Sequence, residues 1–179
     1  MTDTMTDPGG ASVHASAVLV GNRAVLIRGP SGTGKSRLAF DLILAGRAGQ
    51  LPAATLVGDD RVHLEARLGQ LMVRPARELA GLIEIRGLGI RRCDFAQQAV
   101  VGLVVDLAAG DAERLPPPHA LETEVDGIKI PRIPVAPGYS GLALVIAEVT
   151  MTASSCFTQF SADCSKGIGN HITPSIATE

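Results

Sequence analysis

The feature that most constrains this chain is the octapeptide Gly29-Pro30-Ser31-Gly32-Thr33-Gly34-Lys35-Ser36. It has the spacing G-x-x-x-x-G-K-[ST]. It follows the apolar, strand-like run Ala24-Val25-Leu26-Ile27 and precedes a segment in which Leu38, Leu42 and Ala45 recur at helical spacing. In that context the glycines let successive backbone N–H groups curl around phosphate oxygens, and the helix start adds its positive dipole end. Lys35 supplies a point charge to β- and γ-phosphates, and the Ser36 hydroxyl is placed to ligate the Mg²⁺ that bridges them. The fold expected is α/β, a P-loop nucleotide-binding fold with a mixed central β-sheet flanked by helices. The loop says nucleotide and leaves the acceptor of the phosphate open.

Around the loop, Val18-Leu19-Val20 and Ala24 to Ile27 flank Gly21-Asn22, a dipeptide suited to the positive φ of a tight hairpin turn. A helix is expected from Ser36 to Ala45, with Gly46 as its C-cap. Short strands are expected at 55–58, 62–64 and 71–74, the last two joined by a turn near Leu68-Gly69-Gln70. Residues 77–82 read as a helical turn. The run 100–107 is almost wholly apolar, as a strand buried on both faces requires. Pro116, Pro117 and Pro118 break regular structure before strand-like or helical patterns resume at 128–135 and 142–149. Residues 1–12 read as a disordered leader, 13–150 as the catalytic domain, and 151–179 as an atypical tail rich in Ser, Thr, Cys and Gly.

Composition narrows the chemistry. With no Trp, one Tyr and four Phe in 179 residues, the core must be aliphatic, and stacking on bases is disfavoured as a binding mode. A net charge of -2 with scattered basic residues argues against a nucleic-acid partner. No apolar run approaches the roughly 20 residues that a spanning helix needs, so no membrane role is expected. Cys93, Cys156 and Cys164 are odd in number and lack disulfide or zinc spacing, so the expected compartment is the cytoplasm. His63 alternates with apolar residues and reads as an exposed strand residue. Cys156, Cys164 and His171 fit no compact metal pattern.

A P-loop site needs a carboxylate near the metal-bound water. Asp59-Asp60 and Asp106 each end an apolar run, and spacing does not choose between them. Adjacent Asp59 and Asp60 would point to opposite sides of an extended chain, one to the metal and one to the nucleophile; a turn-capping role fits equally well. Glu84 lies in an apolar run, where an unpaired charge is costly, so a metal or an arginine such as Arg86 is its expected partner.

Together, His14, the loop Gly29 to Ser36, Asp59-Asp60-Arg61-Val62 and Ile83-Glu84-Ile85-Arg86-Gly87-Leu88-Gly89-Ile90 resemble HPr kinase/phosphorylase. The resemblance runs from about Val13 to Val149 and is similar to the short, catalytic-domain form found in alphaproteobacteria. It implies a serine protein kinase that uses ATP and Mg²⁺, with the phosphocarrier protein HPr as partner, phosphorolysis of the product as the reverse reaction, and a homo-oligomer. On it, His14, Lys35 and Asp60 are catalytic, Asp60 as base forward and acid in reverse, and Asp59 assists through the metal shell. Ser36 and Glu84 become magnesium ligands, and Arg114 matches a later catalytic arginine. Two segments depart from the family pattern. Ser36 and Asp59 are further apart than is usual, and 135–140 lacks the arginine of the segment linked to dephosphorylation. A small-molecule kinase and an ATP-sensing module share the phosphate site. No Arg-rich lid sequence supports the first, and intact Lys35 and Asp60 disfavour the second.

Overall fold

The computed structural model describes residues 11–151. The expected leader up to residue 10, and the expected tail from 152 on with Cys156, Cys164 and His171, lie outside the described residues. Residues 11 and 12 open a strand. In chain order the strands are β1 (Ala11–Val13), β2 (Ser16–Val20), β3 (Arg23–Arg28), β4 (Ala54–Gly58), β5 (Val62–Arg67), β6 (Gln70–Pro75), β7 (Leu82–Ile85), β8 (Gly89–Arg92), β9 (Ala99–Leu107), β10 (Glu122–Val125) and β11 (Ile128–Val135). The helices are α1 (Lys35–Arg47), between β3 and β4, and α2 (Leu142–Thr150), after β11. Strands β1-β5-β6-β9-β3-β2-β4 form one mixed sheet, with β11 beside the C-terminal half of β9 and β10 beyond it. The pairs β3–β9 and β9–β11 are parallel, and β2–β3 and β2–β4 are antiparallel, so β3, β4 and β9 all point their C-terminal ends the same way.

The two-residue hairpin between β2 and β3 forms as its sequence predicts, with Gly21 at φ 61°. In β9 one residue departs from simple alternation. The register with β3 skips from Ala24↔Val101 to Val25↔Leu103, so Gly102 is the extra residue of a β-bulge. Ala99, Val101 and Val104 therefore face one core, and Leu103, Val105 and Leu107 the other. A Cβ at Gly102 would lie 2.8 Å from that of Arg23, which is why the bulge carries glycine.

The first core lies between the sheet and the two helices and holds Val18, Val25, Ile27, Leu38, Leu42, Val105 and Val145. The second, with Leu26, Val57, Val62, Leu71, Val73 and Val104, is enclosed where the sheet curls over itself through β5 and β6. Both are aliphatic. Truncating a fully buried member such as Leu42 to alanine is expected to cost about 2–5 kcal/mol.

Helix α1 runs past the cap expected for it. Gly46 sits within the helix, where a Cβ would lie 2.7 Å from that of Ala54, so it serves a close helix–strand approach. The stop is Gly49 at φ 72°. Gln50 N–H donates to the Ala45 carbonyl (2.9 Å) and Gly49 N–H to that of Gly46 (3.2 Å), a Schellman pattern. Residues 83–90 fold as the β7–β8 hairpin, a separate two-stranded sheet. No helix among the described residues is long and apolar enough to cross a membrane.

Candidate functional site

The phosphate loop joins β3 to α1 at the end where β3, β4 and β9 finish. Gly29 has φ 147° and passes so close to the end of β9 that a Cβ would lie 2.9 Å from the Leu107 carbonyl. Gly32 (φ 81°) and Gly34 (φ 95°) take left-handed conformations that side chains resist. Thr33 Oγ1 donates to the Pro30 carbonyl at 2.8 Å and tightens the turn between them. No side chain caps α1, and no acidic residue stands in its first turn. Its leading N–H groups and dipole are left for an anion.

Lys35 is buried, and its Nζ donates to the carbonyls of Gly29 (2.9 Å) and Pro30 (3.2 Å), so the ammonium is folded back over the loop. Burial pushes its pKa down, and the charges of Asp60 and then Asp59 push the other way. Lys35 thus sits in the field of the acidic pair. Ser36 is half-buried one residue further into the helix.

That pair leaves the end of β4 in a tight turn, not in the extended conformation considered from the sequence. Arg61 N–H donates to the Asp59 carbonyl at 2.8 Å with Asp60 between them at φ 65°, the arrangement of a γ-turn with a left-handed centre. Such a conformation stores about 1–3 kcal/mol of strain and persists only where surrounding contacts enforce it. The turn separates the two side chains. Asp59 is buried; its Oδ1 accepts from Ser16 Oγ at 2.6 Å and its Oδ2 from Glu84 N–H at 3.1 Å. Asp60 is exposed, and its Oδ1 lies 3.2 Å from His14 Nε2.

Asp106 has a different environment. Arg28 donates to both of its carboxylate oxygens (2.7 and 2.8 Å), and Arg132 Nε donates to Oδ2 at 2.6 Å. Burial pushes the Asp106 carboxyl up, but the hydrogen bonds and charges of the two arginines outweigh it and hold the pKa below the usual carboxylate range. Arg132 also grips Asp111 through two nitrogens (2.6 and 2.9 Å) and donates to the Ala120 carbonyl at 2.9 Å, fastening the segment after β9. Asp106 is therefore a structural ion-pair centre.

The remaining expected residues are more scattered. Glu84 has an exposed side chain, because β7 alternates: Ile83 turns inward and Glu84 outward, opposite the exposed Ile90. The burial argument for a charged partner does not hold, and it is the Glu84 backbone that binds Asp59. Arg114 is exposed on the loop after β9, with no ion pair to the other site residues among the described residues. No group of three or more His, Cys, Asp or Glu able to hold a metal occurs among the described residues. The oxygen donors that the resemblance assigns to a metal are the half-buried Ser36 hydroxyl at the start of α1, the buried Asp59 carboxylate and the exposed Glu84 carboxylate. Such a sparse set fits Mg²⁺, which keeps waters and takes further ligands from substrate phosphates. Sequence reasoning missed Ser16, Arg28 and Arg132. The His14-x-Ser16 spacing, which puts two polar groups on one side of an extended chain ahead of an apolar strand, was the available signal for Ser16.

The family model described as HPr Serine kinase C-terminal domain matches residues 9–162. HPr kinase/phosphorylase from Geobacillus thermodenitrificans is 36% identical over 78% of this chain and 47% of the relative. That from Streptococcus thermophilus is 32% identical over 93% of this chain and 55% of the relative. The chain thus spans about half the length of the curated relatives it matches. The solved structure of the Hpr(Ser) kinase/phosphatase from Coxiella burnetii superposes with a TM-score of 0.62 at 27% identity, covering 76% of this chain and 92% of that one.

Proposed function

The chain belongs to the HPr serine kinase C-terminal domain family, and from that premise we propose that it transfers the γ-phosphoryl group of ATP to a serine of the phosphocarrier protein HPr. The observation that carries this reading is the exposed His14–Asp60 pair at 3.2 Å, at the mouth of a loop whose buried Lys35 feels the Asp60 charge.

In the forward direction the loop N–H groups and Lys35 hold the phosphates and offset the charge that builds on them. Bound Mg²⁺ supplies charge neutralisation and alignment of the phosphate oxygens, and Ser36 and Glu84 are the residues that would hold it, with Asp59 beside them. Asp60 accepts the proton of the acceptor serine as its Oγ bonds to the γ-phosphorus and the bond to the bridging oxygen of ADP breaks. His14 orients the Asp60 carboxylate. Arg114 would approach the transferring group from the loop after β9. In reverse, protonated Asp60 returns the proton to the serine oxygen as inorganic phosphate takes the phosphoryl group. A cytoplasmic enzyme with no nucleic-acid or membrane partner, working as a homo-oligomer, completes the reading.

The test is mass spectrometry of purified HPr from the same organism after incubation with the chain, ATP and Mg²⁺, with Lys35→Ala as control. One added phosphate on a serine, seen only with Lys35 intact, is the expected result. HPr left unmodified while ATP still binds would overturn the reading in favour of another acceptor or an ATP sensor.

A further inference from the structure

Beyond the residues that touch substrate, we infer that Ser16 is a positioning residue for phosphoryl transfer, acting through Asp59 on the strained turn that presents Asp60. This rests on the kinase reading above and adds a residue to it.

The geometry begins with strand register. Strand β2 pairs with β4 through Ala17↔Gly58 and then Val18↔Leu56, so Val57 is an extra residue on β4. The irregularity leaves Ser16 next to the first residue beyond β4, which is Asp59. Ser16 is fully buried, and its hydroxyl donates to Asp59 Oδ1 at 2.6 Å. The second oxygen of the same carboxylate takes the Glu84 N–H. A single buried side chain thereby ties three separate segments: β2, the turn after β4, and β7 with its outward Glu84.

The two polar residues of β2 and its approach divide the work. His14 reaches the exposed Asp60, and Ser16, two residues on, reaches the buried Asp59. The inner pair is thus in direct succession with the outer one. A left-handed γ-turn at an aspartate is not self-sustaining. Its first residue, Asp59, is held by two donors aimed at its carboxylate, and its closing hydrogen bond runs from Arg61 to the Asp59 carbonyl. Fixing Asp59 therefore fixes the direction in which Asp60 faces His14. Without the Ser16 hydroxyl, a buried oxygen of Asp59 loses its donor, and the turn gains freedom just where the proton acceptor must be aligned.

Two measurements on the full chain test this. In the first, Ser16→Ala and Ser16→Thr are compared with the parent for HPr phosphorylation. Ser16→Ala is expected to lower kcat by roughly 10–100-fold, the usual effect of removing a supporting hydrogen bond at a phosphate–metal site. Its KM for ATP should stay within about twofold, and Ser16→Thr, which keeps the hydroxyl, should recover most of the rate. The second needs no activity: backbone amide hydrogen exchange of Ser16→Ala. Exchange should accelerate about tenfold or more at residues 59–61 and 82–85, with β3 and β9 still protected. Unchanged kcat, a rise in KM alone, unchanged exchange, or loss of protection throughout the chain would each overturn the inference. Should the parent leave HPr unmodified, the function proposed above fails, while the exchange pattern still decides whether Ser16 holds the turn.

Discussion

The ends of β4 and β9 are a natural pair to compare. Both are apolar strands, both run parallel to β3, and both deliver an aspartate to the end of the sheet that carries the phosphate loop. At β9, Asp106 is met by two guanidinium groups through three hydrogen bonds between 2.6 and 2.8 Å, two of them from Arg28, the residue just before the loop. At β4, Asp59 is met by a hydroxyl and a backbone N–H, and Asp60 by an imidazole, with Lys35 as the nearby cation. A carboxylate bound by permanent cations is a good anchor and a poor proton acceptor. Placement at the strand end is shared, and on the proposed function it is the neighbours that separate scaffold from chemistry. Strain follows the same division. Asp60 sits in a left-handed turn, whereas Asp106 lies within regular strand.

The comparison can be broken by moving charge. His14→Arg would give Asp60 the partner that Asp106 has, and transfer is expected to fall on the order of 10²–10³-fold, measured as initial rate on HPr at saturating ATP. In the other direction, Asp106→Asn leaves Arg28 and Arg132 facing a neutral amide. The unfolding free energy in urea should drop by roughly 2–3 kcal/mol, less than for a fully dry pair because Arg28 is partly exposed. Acid titration gives the smallest effect. Since the folded pKa of Asp106 is depressed, its contribution to stability is full above the unfolded value of about 3.9 and is lost as pH falls through the folded value. Urea unfolding between pH 6 and 3 should show a steeper decline below about pH 4 in the parent than in Asp106→Asn.

Much of this was legible in the sequence because it is local. The phosphate loop, the Gly21-Asn22 hairpin and the apolar face of α1 each depend on residues within a dozen positions of one another. Asp59-Asp60 and Asp106 could be nominated but not ranked. What ranks them is Arg28, 78 positions from Asp106, and Arg132, 26 positions from it, brought there by parallel strands that no spacing reveals. Glu84 misled for a related reason: an apolar run reads as buried on both sides, yet in a two-stranded hairpin one face stays open. Gly46 read as a cap because glycine ends helices, whereas a neighbouring strand too close for a side chain was the operative constraint. Ser16 went unremarked because the His14-x-Ser16 spacing marks two polar residues on one side of the chain but says nothing of the β4 irregularity that brings Asp59 to the second of them.

The most direct test is a single-turnover comparison of Asp60→Asn and Asp106→Asn with the parent. Phosphoserine on HPr would be followed by mass spectrometry, at a temperature well below the unfolding of either variant. Asp60→Asn is predicted to lose 10²-fold or more, roughly the contribution of a general base, while still binding ATP, and Asp106→Asn to stay within about tenfold of the parent. The opposite ranking, with Asp106→Asn inactive and Asp60→Asn near the parental rate, would contradict the assignment of chemistry to the end of β4.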